Sequence, residues 1–211
     1  MIIKFHGHAT IELRIKNSII YIDPYLDPFS AERLPKADLI LVSNSSFDHC
    51  SVETIRALST DNTIILGTRE VSTLLNNCGT ISAGELRDFG DFKIKILNAV
   101  PYNKDKISGT LLGFGISCEE KTLFYPSDTR FLPSMSDIKP DIMFVAIGGT
   151  STMNAKEAAD FVNVFIPKVA IPIHYGKLNG TMDDAVYFKE LVEIKQETKV
   201  VILREDEEFE L

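Results

Sequence analysis

The apolar run Ala37-Asp38-Leu39-Ile40-Leu41-Val42 stops abruptly at the polar stretch Ser43-Asn44-Ser45-Ser46-Phe47-Asp48-His49-Cys50. A short aliphatic run bounded by turn formers predicts a buried strand ending in a loop. At the far end of that loop, Asp48 and His49 offer a carboxylate and an imidazole, both suitable ligands for a borderline metal such as zinc. The feature that most constrains the fold is therefore a buried strand that delivers metal-ligand chemistry to its C-terminal end.

Around this segment the chain changes rhythm. Ile2 to His6, Thr10 to Lys16 and Ser18 to Asp23 read as a meander, with Lys16-Asn17 as a tight turn. Strands and helices then alternate: a strand over 38–42, a helix over 51–58 capped by Ser51, a strand over 63–67, and a helix over 69–77 closing near Gly79. The middle is strand-rich, with strands over 92–99, 111–118 and 122–125 and a turn at Glu119-Glu120. A strand over 141–147 follows. Asn154 and Glu157 then form a capping box for a helix whose Ala158, Ala159, Val162, Phe165 and Ile166 make a core-facing stripe. The remaining predictions are a strand over 168–173, a helix over 183–195, a strand over 199–204 and a solvated acidic tail over 205–210. By pattern alone this is an α/β or α+β chain. Its 211 residues fit a single domain, 1–211, with room for a sizeable core.

Composition narrows the partners. A net charge of −8 disfavours nucleic acid, which needs cationic surface to displace counterions. No window approaches the roughly 18 apolar residues of a membrane span. A strand starting at Met1-Ile2-Ile3 predicts that no signal peptide precedes it. Cys50, Cys78 and Cys118 are odd in number and widely spaced, which predicts free thiols in a reducing cytoplasm. Cys50 beside His49 is read as a small buried residue rather than a nucleophile.

Several segments, taken in order, resemble the metallo-β-lactamase superfamily, specifically a small branch of zinc-dependent and sugar-lactone hydrolases. Gly7-His8-Ala9 resembles the opening hairpin. Ile22-Asp23-Pro24 resembles the first motif, and Phe47-Asp48-His49-Cys50 closes the main His-x-His-x-Asp-His motif. Ala99-Val100-Pro101-Tyr102-Asn103 resembles the middle segment, Tyr125-Pro126-Ser127-Asp128-Thr129 stands at Gly-Asp-Thr, and Ile147-Gly148-Gly149-Thr150 and Ile171-Pro172-Ile173-His174-Tyr175-Gly176 match the late motifs. The resemblance implies a four-layer αββα sandwich.

It also implies a site. One metal of the usual pair would take the His-x-His pair and a middle histidine; here those positions are Asn44, Ser46 and the segment 102–106, none a histidine. The other metal would take Asp48, His49, Asp128 and His174, all present. The main motif is thus degraded on one side and intact on the other. The implied cofactor is one divalent metal, zinc first, with manganese or iron also suited to two oxygen and two nitrogen donors. The implied reaction is hydrolysis of an ester, lactone or phosphoester in a small-molecule substrate by metal-activated water, with Asp48 or Asp128 as base and Asn44 as a hydrogen-bond donor. The alternative is a non-catalytic paralogue that holds no metal and binds a small ligand or partner in the former cleft. Two carboxylates without a cation would repel, which favours the metal.

His6-Gly7-His8 is the one intact His-x-His, and alternate residues on a strand share a side. The resemblance places His8 beside the site, not on the metal, as a supporting or substrate contact. Asp23 is either a turn residue or the brace of the metal loop. Tyr175 and Tyr102 either line the pocket or pack. Gly148-Gly149-Thr150 lacks the lysine of a phosphate loop and reads as a turn. Ser46 and Ser127 lack a nucleophile-elbow context.

Overall fold

Near-unbroken burial along Ile11–Ile15 and the apolar half of Ser18–Ile22 explains the first hairpin. In this computed structural model, which describes residues 1–102, 109–135 and 137–210, those segments are β2 and β3. They pair antiparallel to each other and to β1 (Ile2–Phe5). Lys16-Asn17 makes the expected tight turn, with Lys16 in the left-handed region at φ 52°. The chain then enters α1 (Pro28–Ala31), β4 (Leu39–Val42), α2 (Val52–Leu58), β5 (Ile64–Gly67), α3 (Arg69–Leu74) and β6 (Cys78–Thr80). From β3 to β6 the pairing is parallel, each crossover being made by a helix. Ser51 caps α2 by accepting from the Thr54 amide. Tyr21, Ile40, Val42, Ile55, Leu58, Ile65 and Val71 form the core on the helical side of this sheet.

Contacts divide the chain into two compact units, Met1–Ile81 with the C-terminal residues from Arg204, and Ser82–Leu203. The second unit repeats the logic of the first. An antiparallel meander, β7 (Leu86–Asp88), β8 (Lys93–Ala99), β9 (Leu111–Cys118) and β10 (Lys121–Tyr125), gives way to parallel β11 (Ile142–Ala146), α4 (Ala155–Phe165), β12 (Val169–Ile173), α5 (Met182–Glu193) and β13 (Lys199–Val200). Asn154 and Glu157 make the predicted capping box, and Thr181 with Asp184 make a second one. Phe124, Phe161 and Phe165 pack with ring centroids 5.2 to 5.4 Å apart. Each unit thus carries one mixed sheet, of seven strands among the described residues, with its helices.

Several expectations give way. Glu205 to Glu210 is no solvated tail: Glu207–Glu210 is β14, antiparallel to β1, with Phe209 opposite Ile3. Its register is set by an open edge two hundred residues earlier, a signal no local window contains. The helix from Arg69 stops at Leu74, because Asn76-Asn77 favour turns, and Gly79 lies inside β6 instead of ending the helix. The last predicted strand pairs only over Lys199–Val200. Ile166 is not in the core stripe; it is the left-handed C-cap of α4, half exposed. Strands β6 and β7 and helix α1 are too short for periodicity to reveal. Among the described residues no helix is long and apolar enough to cross a membrane.

Candidate metal centre

In the first unit, β1, β3 and β4 run the same way, so their C-terminal ends share one edge of the sheet. His8, Asp23 and the loop carrying Asp48 and His49 all lie just past those ends. Asp23, fully buried with φ 47°, is the hub. Its carboxylate accepts from the Ser43 amide at 2.7 Å and the Ser43 hydroxyl at 2.6 Å, and His49 Nδ1 donates to it at 2.7 Å. A carboxylate can only accept here, so Nδ1 carries the proton and Nε2 faces away from Asp23.

Asp48 lies alongside, with His49 Nε2 3.9 Å and His8 Nε2 2.9 Å from its Oδ2. Burial opposes ionisation of Asp48, but the His8 hydrogen bond and the nearby His49 ring outweigh it and hold the carboxyl below its ordinary range. One ligand atom from each of His8, Asp48 and His49 lies within 4.8 Å of the others. Two imidazoles and a carboxylate at that spacing suit a divalent first-row ion. The site has an aromatic border: Tyr25 lies 6.1 Å from the His8 ring and 5.7 Å from Phe47, which is 67% exposed.

The two histidines of His6-Gly7-His8 part company. His8 turns to Asp48 through the left-handed backbone of Gly7 and His8. His6 is tied on both nitrogens, to Asp206 at 2.7 Å and Glu12 at 2.9 Å. Glu12 is fully buried and also accepts from the Tyr21 hydroxyl and Arg14. Burial pushes its carboxyl up, yet His6 and Arg14 prevail and hold it down at about 2. Sequence reasoning missed this cluster, since Glu12 reads as the polar position of an alternating strand.

Asn44, expected to face substrate, spans its own loop: its amide donates to Ser43 Oγ at 3.1 Å and accepts from the Ser46 amide at 2.9 Å. Cys50 is buried in the helical-side core, and burial, with Asp23 nearby, pushes its thiol up to about 12. That rules against a nucleophile at neutral pH.

In the second unit, β8, β10, β11 and β12 likewise share a C-terminal edge. Asp128 follows β10 and His174 follows β12, and Asp128 Oδ1 lies 3.1 Å from His174 Nε2. Ser127 and His174 both take left-handed backbone, at φ 59° and 61°. The Tyr102 amide donates to the Asp128 carbonyl, fixing that loop against the end of β8. Glycines close on His174 from the other side: a Cβ at Gly180 would come within 2.7 Å of the His174 carbonyl, and one at Gly148 within 3.1 Å. Gly148-Gly149-Thr150 therefore serves close backbone approach.

Tyr175 is buried and its hydroxyl donates to the Leu203 carbonyl, tethering the end of this unit. The Tyr102 hydroxyl donates to Glu157 at 2.6 Å, joining the cap of α4. Asn103 and the rest of 103–106, the expected middle-histidine region, lie outside the described residues.

Comparison with known proteins agrees with this architecture. A UPF0173 metal-dependent hydrolase of Staphylothermus marinus is 32% identical over 226 residues, covering 99% of this chain and 98% of its own. The solved structure of Igni18, a metallo hydrolase of Ignicoccus hospitalis, superposes with a TM-score of 0.83 at 21% identity, covering both chains completely. The metallo-β-lactamase fold protein YhfI of Bacillus subtilis gives a TM-score of 0.79 at 13% identity, covering 99% of this chain and 98% of its own, which shows a shared fold. Residues 2–174 match the family described as the β-lactamase superfamily domain. With its two mixed sheets and these matches, the chain belongs to the β-lactamase superfamily domain family and has the metallo-β-lactamase fold.

Proposed function

We propose that this protein is a metal-dependent hydrolase that holds one divalent ion, zinc first; Asp48 and His49 are ligands, and Asp128 and His174 are the further ligands that the resemblance implies. The observation that carries the reading is the Asp23–His49 pair. A buried carboxylate 2.7 Å from Nδ1 sets the tautomer and orientation that a ligating imidazole needs. Relatives named as metal-dependent hydrolases support it. Bound there, a divalent ion supplies Lewis acidity and makes water acidic enough to act as a nucleophile near neutral pH.

The chain's own residues do the remaining work. Asp23 holds His49 in register. Whichever of Asp128 and Asp48 is not tightly bound to the ion serves as the base that orients the attacking water. Esters, lactones and phosphoesters are the substrate classes, and the Tyr25–Phe47 border favours one with an apolar portion. The acidic chain and its three free cysteines fit a cytoplasmic enzyme of small molecules.

The amide of Asn44, committed to its own loop, favours a second reading in which the cleft only binds a ligand. Elemental analysis decides between them. The protein is dialysed against trace zinc, manganese or iron, beside Asp128→Ala and His174→Ala. One ion per chain, lost in both variants, supports the hydrolase and justifies screening lactones and phosphodiesters. No metal under any condition selects the ligand-binding protein.

A further inference from the structure

Building on a divalent ion at Asp48 and His49, we propose that His8 is itself a ligand. It supplies from the loop after β1 an imidazole that the main motif lacks at Asn44 and Ser46. His8 Nε2 is 2.9 Å from Asp48 Oδ2, and the His8, Asp48 and His49 ligand atoms lie within 4.8 Å of one another. Ligands at about 2.0–2.2 Å from one ion stand roughly 3–3.5 Å apart, so small side-chain rotations close the group. The His8 and His49 rings meet edge to face, 66° apart with centroids at 6.3 Å, so neither stacks across the space an ion would fill.

The backbone points the same way. His8 is fully buried and sits at φ 55° after Gly7 at φ 94°. A non-glycine residue in this conformation is uncommon, and strain of this kind gathers at functional sites. The turn is what carries the imidazole out of the strand direction and over Asp48. Asn44, by contrast, is turned into its own loop and offers no replacement ligand.

Ligation by His8 has a consequence for metal choice. Nitrogen donors rise from two, His49 and His174, to three, and a third imidazole favours zinc over manganese.

Zinc-edge X-ray absorption on the unaltered zinc-loaded protein counts imidazoles directly. Three support the assignment. Two overturn it while leaving the metal-dependent reading intact, and failure to bind zinc overturns both. Cobalt substitution gives a second readout. His8→Gln is expected to shift the visible cobalt bands and to lower the zinc-over-manganese preference about tenfold, with an unchanged circular dichroism spectrum as the folding control. Cobalt bands and metal preference identical to the unaltered protein would assign His8 to a hydrogen bond alone.

Discussion

His6 and His49 are two buried imidazoles of one unit, and each faces a buried carboxylate. His6 has a carboxylate on both nitrogens, Glu12 and Asp206. His49 has one on Nδ1, Asp23, and turns Nε2 toward Asp48. The difference separates a structural histidine from a candidate ligand. His6 is within hydrogen-bond distance of a carboxylate at both nitrogens, so its ring closes a polar network and holds strands together. In His49 the Asp23 bond at 2.7 Å sets the tautomer, while Nε2 lies 3.9 Å from Asp48, within the group that could hold an ion. Burial alone does not distinguish them, since both rings are at most 2% exposed.

The largest effect expected from breaking this contrast lies on the His6 side. Glu12→Ala removes the carboxylate at which His6, Arg14 and the Tyr21 hydroxyl converge, and should cost about 3–5 kcal/mol in urea unfolding. A loss below about 1 kcal/mol would mean the cluster is not structural.

On the His49 side, Asp23→Asn should weaken metal binding about 10- to 100-fold in chelator competition, by releasing the tautomer. Unchanged affinity would erase the distinction between the two rings.

Acid sharpens the comparison further. The Glu12 carboxyl is held at about 2, below its ordinary 4.5. A depressed carboxyl contributes stability that is complete above about pH 4.5 and lost as pH falls toward 2. Glu12→Gln should therefore flatten the fall in stability across that window, and a slope matching the unaltered protein would assign the acid response to other groups.

The smallest effect belongs to Asp206, whose side chain is 64% exposed. Asp206→Asn should cost at most about 1 kcal/mol in thermal unfolding, because solvent screens that half of the His6 bridge. A loss as large as that of Glu12→Ala would show that β14 depends on this one contact.

Much of this was legible in one dimension. Asn154 and Glu157 lie three residues apart, and their reciprocal hydrogen bonds appear as read. Ser51 caps α2, and Leu111–Cys118 is a strand over the span its pattern predicts. Asp48, Asp128 and His174 do follow strand ends. Other features could not be seen locally. Nothing in Glu205 to Glu210 says strand; six residues rich in glutamate become β14 because β1 presents an open edge. Glu12 is a polar residue of an alternating strand, and its surroundings come from residues 6, 14 and 21 together. Asn44 looked like a donor to substrate until the turn of its own loop took both ends of its amide.

What the sequence by itself determined is what short-range physics specifies: helix caps, the aliphatic strands, the tight turn at Lys16-Asn17, the acidic balance, and the identity of the ligand-type residues at strand ends. Each depends on neighbours within a few positions, where chain connectivity already fixes the distance. The tertiary structure alone decided which carboxylate each histidine meets. His49 reaches back 26 residues to Asp23, and His6 reaches across 200 to Asp206. Those pairings follow from strand order and register, which are set by the packing of whole sheets and not by any local signal. The chain lists four histidines; only the fold assigns one to the scaffold and turns another toward Asp48.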